Sequence, residues 1–280
     1  MGIVQRVRAL ALTLSLPLLR VPPVVLGQGE AVDLRYSAAQ LDCARFLESA
    51  ESNIRTETGG RIRLQTSGRT GVWEFRAGSA RNNAIAIEGW LDSLSVWRRS
   101  AETVTRPDTD GLLGGRYRGI LSLTGWYHPT VRPFVPDEVA EIAGMATALD
   151  DFFPPLPRSQ LRPGQSWNDS AGITLRRLPD SALSGVPLYR LALESRRHND
   201  RADIGDSVPL RLKQVSVEHG SYVWHPSLGM IRRDRRIVVE TSVPPGGSVR
   251  QSVRSRVEQR ITTTRDLTAS AGPNQCSEKK

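Results

Sequence analysis

The chain has 280 residues, a formal net charge of +9 and two cysteines. That length suits one large domain or two smaller ones. With 39% apolar and 24% charged residues, a wholly disordered chain is excluded. Two cysteines also exclude a disulfide-dense scaffold and a cysteine-rich zinc module.

The basic excess is almost entirely arginine. Lysine occurs only at Lys213, Lys279 and Lys280, so 35 of the 38 basic residues are arginines. They are dispersed, with pairs such as Arg98-Arg99 and Arg232-Arg233 in place of a run. Dispersal argues against a nucleic-acid partner, which calls for a basic stripe.

Residues 1–27 read as a secretory signal. Arg6 and Arg8 precede an apolar stretch over 9–19, and Val25-Leu26-Gly27 offers a cleavage point. The stretch is shorter than the ~20 residues of a spanning helix. Removal leaves 35 basic and 29 acidic residues, a net charge of +6. The expected location is exported, periplasmic or extracellular, or associated with a membrane. There, Cys43 and Cys276 become a disulfide candidate joining the two ends of the mature chain.

Along the mature chain, residues 37–54 show an apolar stripe of helical period (Leu41, Ala44, Phe46, Leu47, Ala50, Ile54) after a capping Ser37. From Arg61 the period changes to two. Strands are expected over 61–66, 72–77, 84–88, 91–98 and 116–127, separated by Gly- and Asn-containing turns. Residues 137–153 read as a second helix, capped by Asp137 and striped by Val139, Ile142, Ala143, Ala146, Leu149 and Phe153. The prolines of 154–163 end it. Further strands are expected over 173–178, 187–195, 210–218, 222–224, 230–232 and 236–243. In 249–264 valines recur every fourth residue, yet the Val, Ile and Thr content favours a strand. The segment 198–207, with Asn199, Asp200, Asp203 and Asp206, reads as a hairpin loop. Residues 28–265 thus form one β-rich domain, or two β halves joined at 154–163, with a flexible tail over 266–280.

The four histidines (His128, His198, His219, His225) lie in no HExxH motif, and no P-loop, nucleophile elbow or paired-cysteine spacing occurs. Nothing implies a cofactor or a metal. Asp108-Thr109-Asp110-Gly111 starts like a calcium loop but lacks the later ligands, so it reads as a turn. Trp73, Trp90, Trp126 and Trp224 sit in strand patterns where alternation can bring them to one concave face, as an apolar or carbohydrate ligand requires.

The run Asp110-Gly111-Leu112-Leu113-Gly114-Gly115-Arg116-Tyr117-Arg118-Gly119, then Pro133-Phe134-Val135-Pro136, Phe153-Pro154-Pro155-Leu156-Pro157 and Gly164-Gln165-Ser166-Trp167, resembles exported bacterial proteins of uncharacterised activity. In them a β half, a helix, a PPLP…GxSW crossover and a second β half follow one another. The architecture is also similar to lipoprotein-carrier half-barrels. These resemblances imply a mainly β (α+β) fold, a long curved antiparallel sheet or half-barrel packed on one or two helices. They imply no catalytic residue. The leading expectation is a non-enzymatic protein holding an apolar ligand, a lipid or an envelope partner in the concavity. Two other readings stay open: a hydrolase using His128 or His225 with a nearby aspartate, and a structural or adhesive β module.

Overall fold

A computed structural model describes residues 29–204, 209–245 and 251–268. The expected signal segment and Cys276 lie outside the described residues, as does most of the expected tail. The fold is mainly β, a curved, open antiparallel sheet with two short helices.

The first meander comprises β1 (Arg45–Thr58), β2 (Arg61–Ala77), β3 (Ala84–Ser100), β4 (Thr103–Thr105), β5 (Tyr117–Ser122) and β6 (Tyr127–Val131). The second comprises β7 (Ser166–Asn168), β8 (Ile173–Arg177), β9 (Ser181–Leu183), β10 (Val186–Ile204), β11 (Pro209–His225), β12 (Gly229–Val243) and β13 (Val253–Arg265). Their order across the sheet is β6-β5-β3-β2-β1-β13-β12-β11-β10-β8-β7, with β4 on β3 and β9 on β10. The two meanders therefore meet at one seam, the antiparallel β1–β13 pair running from Phe46↔Arg265 to Thr58↔Val253.

One face of the sheet carries the core. On β1 the inward positions are Phe46, Glu48 and Ala50, and on β2 they include Trp73 and Phe75. The chain between β6 and β7 enters this concavity as a plug. It holds α2 (Asp137–Ala143) and then irregular backbone, and buries Val139, Met145, Leu149, Phe152, Phe153 and Leu156. Phe152 meets Phe46 at 5.5 Å and Phe75 at 5.0 Å, while Phe153 meets Tyr36 at 5.7 Å, all tilted or edge-on. Burying such a ring contributes about 1.5–3 kcal/mol.

Four expectations are corrected. First, residues 37–54 are not a helix. Only α1 (Ala38–Leu41) is helical, closed by a Ser37–Gln40 capping box, and Cys43 at φ 56 turns the chain into β1. Phe46, Ala50 and Ile54 satisfy both the helical and the period-two template. The buried Glu48 between them hides the alternation, and pairing with strands on both sides decides the outcome. Second, the helix over 137–153 stops at Ala143. Gly144 adopts φ 58, and a 3-10 turn (Met145–Thr147) follows. Pro136, not Asp137, occupies its N-cap. Third, 116–127 is not one strand, because Gly125 at φ 92 turns the chain between β5 and β6. Fourth, the expected breaks between strands at 67–71, 89–90 and 219–221 lie inside long strands, and Asn199, Asp200 and Asp203 of the expected hairpin loop lie within β10. The interior glycines clear space instead: a Cβ on Gly68 would stand 2.7 Å from the Trp97 ring, and one on Gly89 2.8 Å from Phe75.

Candidate functional site

The inner face divides into a plugged half and an open half. The plug has little regular structure, so its main-chain carbonyls need donors from elsewhere. The sheet and the N-terminal segment supply them. Tyr117 donates to the Met145 carbonyl at 2.8 Å, Tyr36 to Pro154 at 3.0 Å and Tyr222 to Pro155 at 2.9 Å. Arg69 donates to Ala143 at 2.6 Å and to the Glu48 carboxylate at 2.9 Å. Arg35 reaches the Pro157 and Arg158 carbonyls, and Arg177 that of Leu161 together with the Glu30 carbonyl of the N-terminal segment. Burial pushes Tyr36, Tyr117 and Tyr222 well above the usual phenol value, so they stay protonated donors.

Arg233 and Arg235 on β12 tie the plug to the sheet floor. Arg233, only 4% exposed, donates to the Asp151 carbonyl and to Phe152 at 2.9 Å. Arg235 grips the Glu218 carboxylate at 2.7 and 3.0 Å and reaches the Asp151 carbonyl at 3.2 Å. Burial and the neighbouring Arg235 charge push Arg233 down to about 10, so it remains a cation at neutral pH. Burial alone would raise Glu218. The Arg235 hydrogen bond, with the charges of Arg235, Arg233 and Arg197, outweighs burial and holds the carboxyl below its ordinary value. The cleft between this cluster and the plug, rimmed by Trp126 and Arg197, has a volume of about 40 Å³, enough for a water or two.

Beyond Arg235 the long strands continue past the plug. Register places successive rows on the inner face: Ser67, Ser52, Gln259, Ile237 and Glu218; then Gln65, Ile54, Val257, Val239 and Ser216; then Arg63, Thr56, Ser255, Thr241 and Gln214. Ile54, Val257, Val239 and Ile237 make an apolar strip across β1, β13 and β12. All four are half-buried, and none belongs to the core cluster or packs against it. Among the described residues, helix contacts fall chiefly on β2 and β3, away from this strip. Arg61, Arg63 and Arg98 lie toward one margin of the floor and Arg197 toward the other. This floor is the candidate site. The alternation of 249–264 points to Val257 alone, whereas the register that adds Ile54, Ile237 and Val239 is set by long-range pairing.

The four tryptophans expected at a ligand occupy different environments. Trp73 is fully buried between Tyr117, Phe75 and Phe152. Trp224 packs edge-on to Tyr36 at 5.0 Å. Trp90 lies on the opposite face of the sheet, beneath the Arg116 guanidinium at 3.9 Å. Trp126, 44% exposed, is on the cleft rim. Among the histidines, His225 Nδ1 accepts the Ser227 and Leu228 N–H groups of the β11–β12 turn, and His128 is exposed opposite Ile120. His219 stands 4.0 Å from Glu194, both exposed. Among the described residues, no group of three His, Cys, Asp or Glu side chains is set to hold a metal, and no helix is long and apolar enough to cross a membrane.

No protein-family model and no curated protein matches the chain. Among solved structures it overlaps lipovitellin, described for its lipid–protein interactions, at TM-score 0.40 and 9% identity, over 79% of this chain and 25% of that one. It overlaps the Neisserial surface protein A at TM-score 0.22 and 9% identity, over 79% and 96% of the two chains. A lipoprotein-sorting domain from Vibrio parahaemolyticus gives TM-score 0.16 and 7% identity, over 80% and 88%. The chain thus spans a quarter of lipovitellin, and at these scores the overlaps carry no functional argument.

Proposed function

We propose that this chain is an exported, non-enzymatic binding protein that carries one lipid-class ligand on the open inner floor. The carrying observation is the apolar strip Ile54–Val257–Val239–Ile237, outside the packed core on the same face as that core. A strip of this kind favours a hydrocarbon segment. The polar rows beside it and the marginal arginines suit an anionic head group. Plug and arginine cluster serve as a rigid wall that fixes where the floor starts. The 40 Å³ cleft has no room for a ligand of this size, which favours the floor over the cleft.

Native mass spectrometry of the gently extracted protein, followed by titration with a fluorescent fatty acid, tests this reading. A retained lipid mass is expected, along with saturable binding that Val239→Arg weakens at least tenfold. The absence of both a retained mass and saturable binding would reject it.

A further inference from the structure

The end of the β1–β2 hairpin has an unusual surface. Over residues 61–64, β2 is paired only with β1, because its pairing with β3 stops at Gln65↔Ser100. This open-edged ribbon exposes Ile62 (54%) and Leu64 (66%) on the outer face of the sheet, alternating with Arg61 and Arg63 on the inner face. An uncovered apolar edge is a liability that folded proteins normally blunt or bury. Its neighbours are also cationic. Leu64 lies beside Arg55, which pairs across the seam with Arg256, and Ile62 lies beside Glu57, which pairs with Arg254. Five arginines (Arg55, Arg61, Arg63, Arg254, Arg256) face two glutamates, Glu57 and Glu240, the latter bound by Arg256. Among the described residues Arg61 and Arg63 form no ion pair.

We propose that this hairpin end is a membrane-contact element. Ile62 and Leu64 enter the interfacial region of an anionic bilayer, and the surrounding arginines engage lipid phosphates. Apolar side chains beside Arg55, Arg254 and Arg256 on their own face, with Arg61 and Arg63 on the other face of the same ribbon, match such a surface, where hydrocarbon burial and headgroup attraction add. A second copy of the chain would bring its own arginine-rich ribbon end against this one, a like-charge encounter. The rows of the open floor run out to this end at Thr58, Val253 and Val243. The element therefore brings the floor's mouth to the bilayer; it shares Arg61 and Arg63 with the floor's margin, but Ile62, Leu64, Arg55, Arg254 and Arg256 are its own, and it does not require the floor to hold a ligand.

The test is cosedimentation of the full chain with sucrose-loaded vesicles of phosphatidylcholine containing about 30% phosphatidylglycerol, against phosphatidylcholine alone. Binding to the anionic vesicles only is expected, reversed by salt of about 0.5 M. Ile62→Ser/Leu64→Ser is expected to weaken partitioning roughly tenfold. Arg61→Gln/Arg63→Gln should weaken it by about fivefold per arginine. These side chains pack against no core, so unchanged melting curves verify folding. Wild-type affinity in both variants, or no anionic preference in the parent, overturns the proposal. So does a parent dimer that the Ile62→Ser/Leu64→Ser variant dissociates, since the ribbon would then belong to self-association. Because the mass-spectrometric assay reads the floor, failure of the floor and failure of the hairpin are separately visible.

Discussion

Arg69, Arg177, Arg233 and Arg265 each turn a guanidinium toward main-chain carbonyls: Ala143, Glu30 and Leu161, Asp151 and Phe152, and Gln40 and Leu228 respectively. A fork of fixed donors can hold two carbonyls at once, which a lysine ammonium does less well in a buried site. Part of the arginine bias thus has an internal role, invisible in a charge count. Arg233→Ala strands the Phe152 carbonyl, leaves Arg235 as the donor to Asp151, and unpairs part of the buried Glu218 cluster, so it should cost about 3–5 kcal/mol in urea unfolding. Arg233→Lys should recover only part of that. Glu218 has a folded value below its unfolded one, so its contribution to stability is present above about pH 4 and is lost as pH falls through the depressed value. Glu218→Gln should flatten that acid limb. The tyrosines act in the opposite sense. Their folded values are raised, so stability is full below about pH 10 and is lost as pH climbs toward those values. Tyr222→Phe should make the alkaline limb shallower at the cost of the Pro155 hydrogen bond.

Among the elements, the long strands depend on glycines that the sequence pattern assigns to turns. Gly89 is the sharpest test, because a methyl there meets Phe75 at 2.8 Å and Leu149 at 3.0 Å. Gly89→Ala should destabilise by about 1–3 kcal/mol, whereas Gly111→Ala, with nothing within 4 Å, should be near neutral; thermal melts of the pair decide it. Much of the sheet was legible in the sequence, since Trp73, Phe75, Ile85, Ile87, Leu94 and Val96 alternate cleanly and are buried. What was not legible came from partners distant in the chain. Glu48 is an inward residue only because Arg69 faces it, and Ser67-Gly68 continues a strand only because Trp97 fills the vacant Cβ position. The plug residues Leu149 and Phe153 belong to the helical stripe of 137–153 and are buried, but irregular backbone stapled by remote tyrosines and arginines leaves no periodic trace. The candidate floor was half legible, since its β13 rows alternate locally while Ile54 and Val239 join them through the seam.

At the level of the whole molecule, the seam joins segments far apart in sequence, as in the Gln259 to Ser52 hydrogen bond spanning 207 positions. Closing it orders nearly the entire chain, a large loop-entropy cost that slows folding. Cys43 precedes β1 at one end of this seam, and we propose that it pairs with Cys276 beyond β13. Labelling of free thiols in the unreduced, denatured chain should then find none. Reduction should lower stability by up to ~5 kcal/mol on the chain-entropy view. Two labelled thiols would refute the bridge. The staples on the plug carry one more implication, for how the sequence can drift. Their hydrogen bonds go to peptide carbonyls, which every residue type presents. Arg158 can change identity without altering what Arg35 holds, whereas the Asp151 carboxylate adds a favourable charge to the Arg233 and Arg235 contacts with its own carbonyl. Selection should therefore fall asymmetrically, tightly on the sheet's donors and on the plug's apolar anchors, and loosely on the plug's exposed positions, whose tolerance a saturation library would reveal.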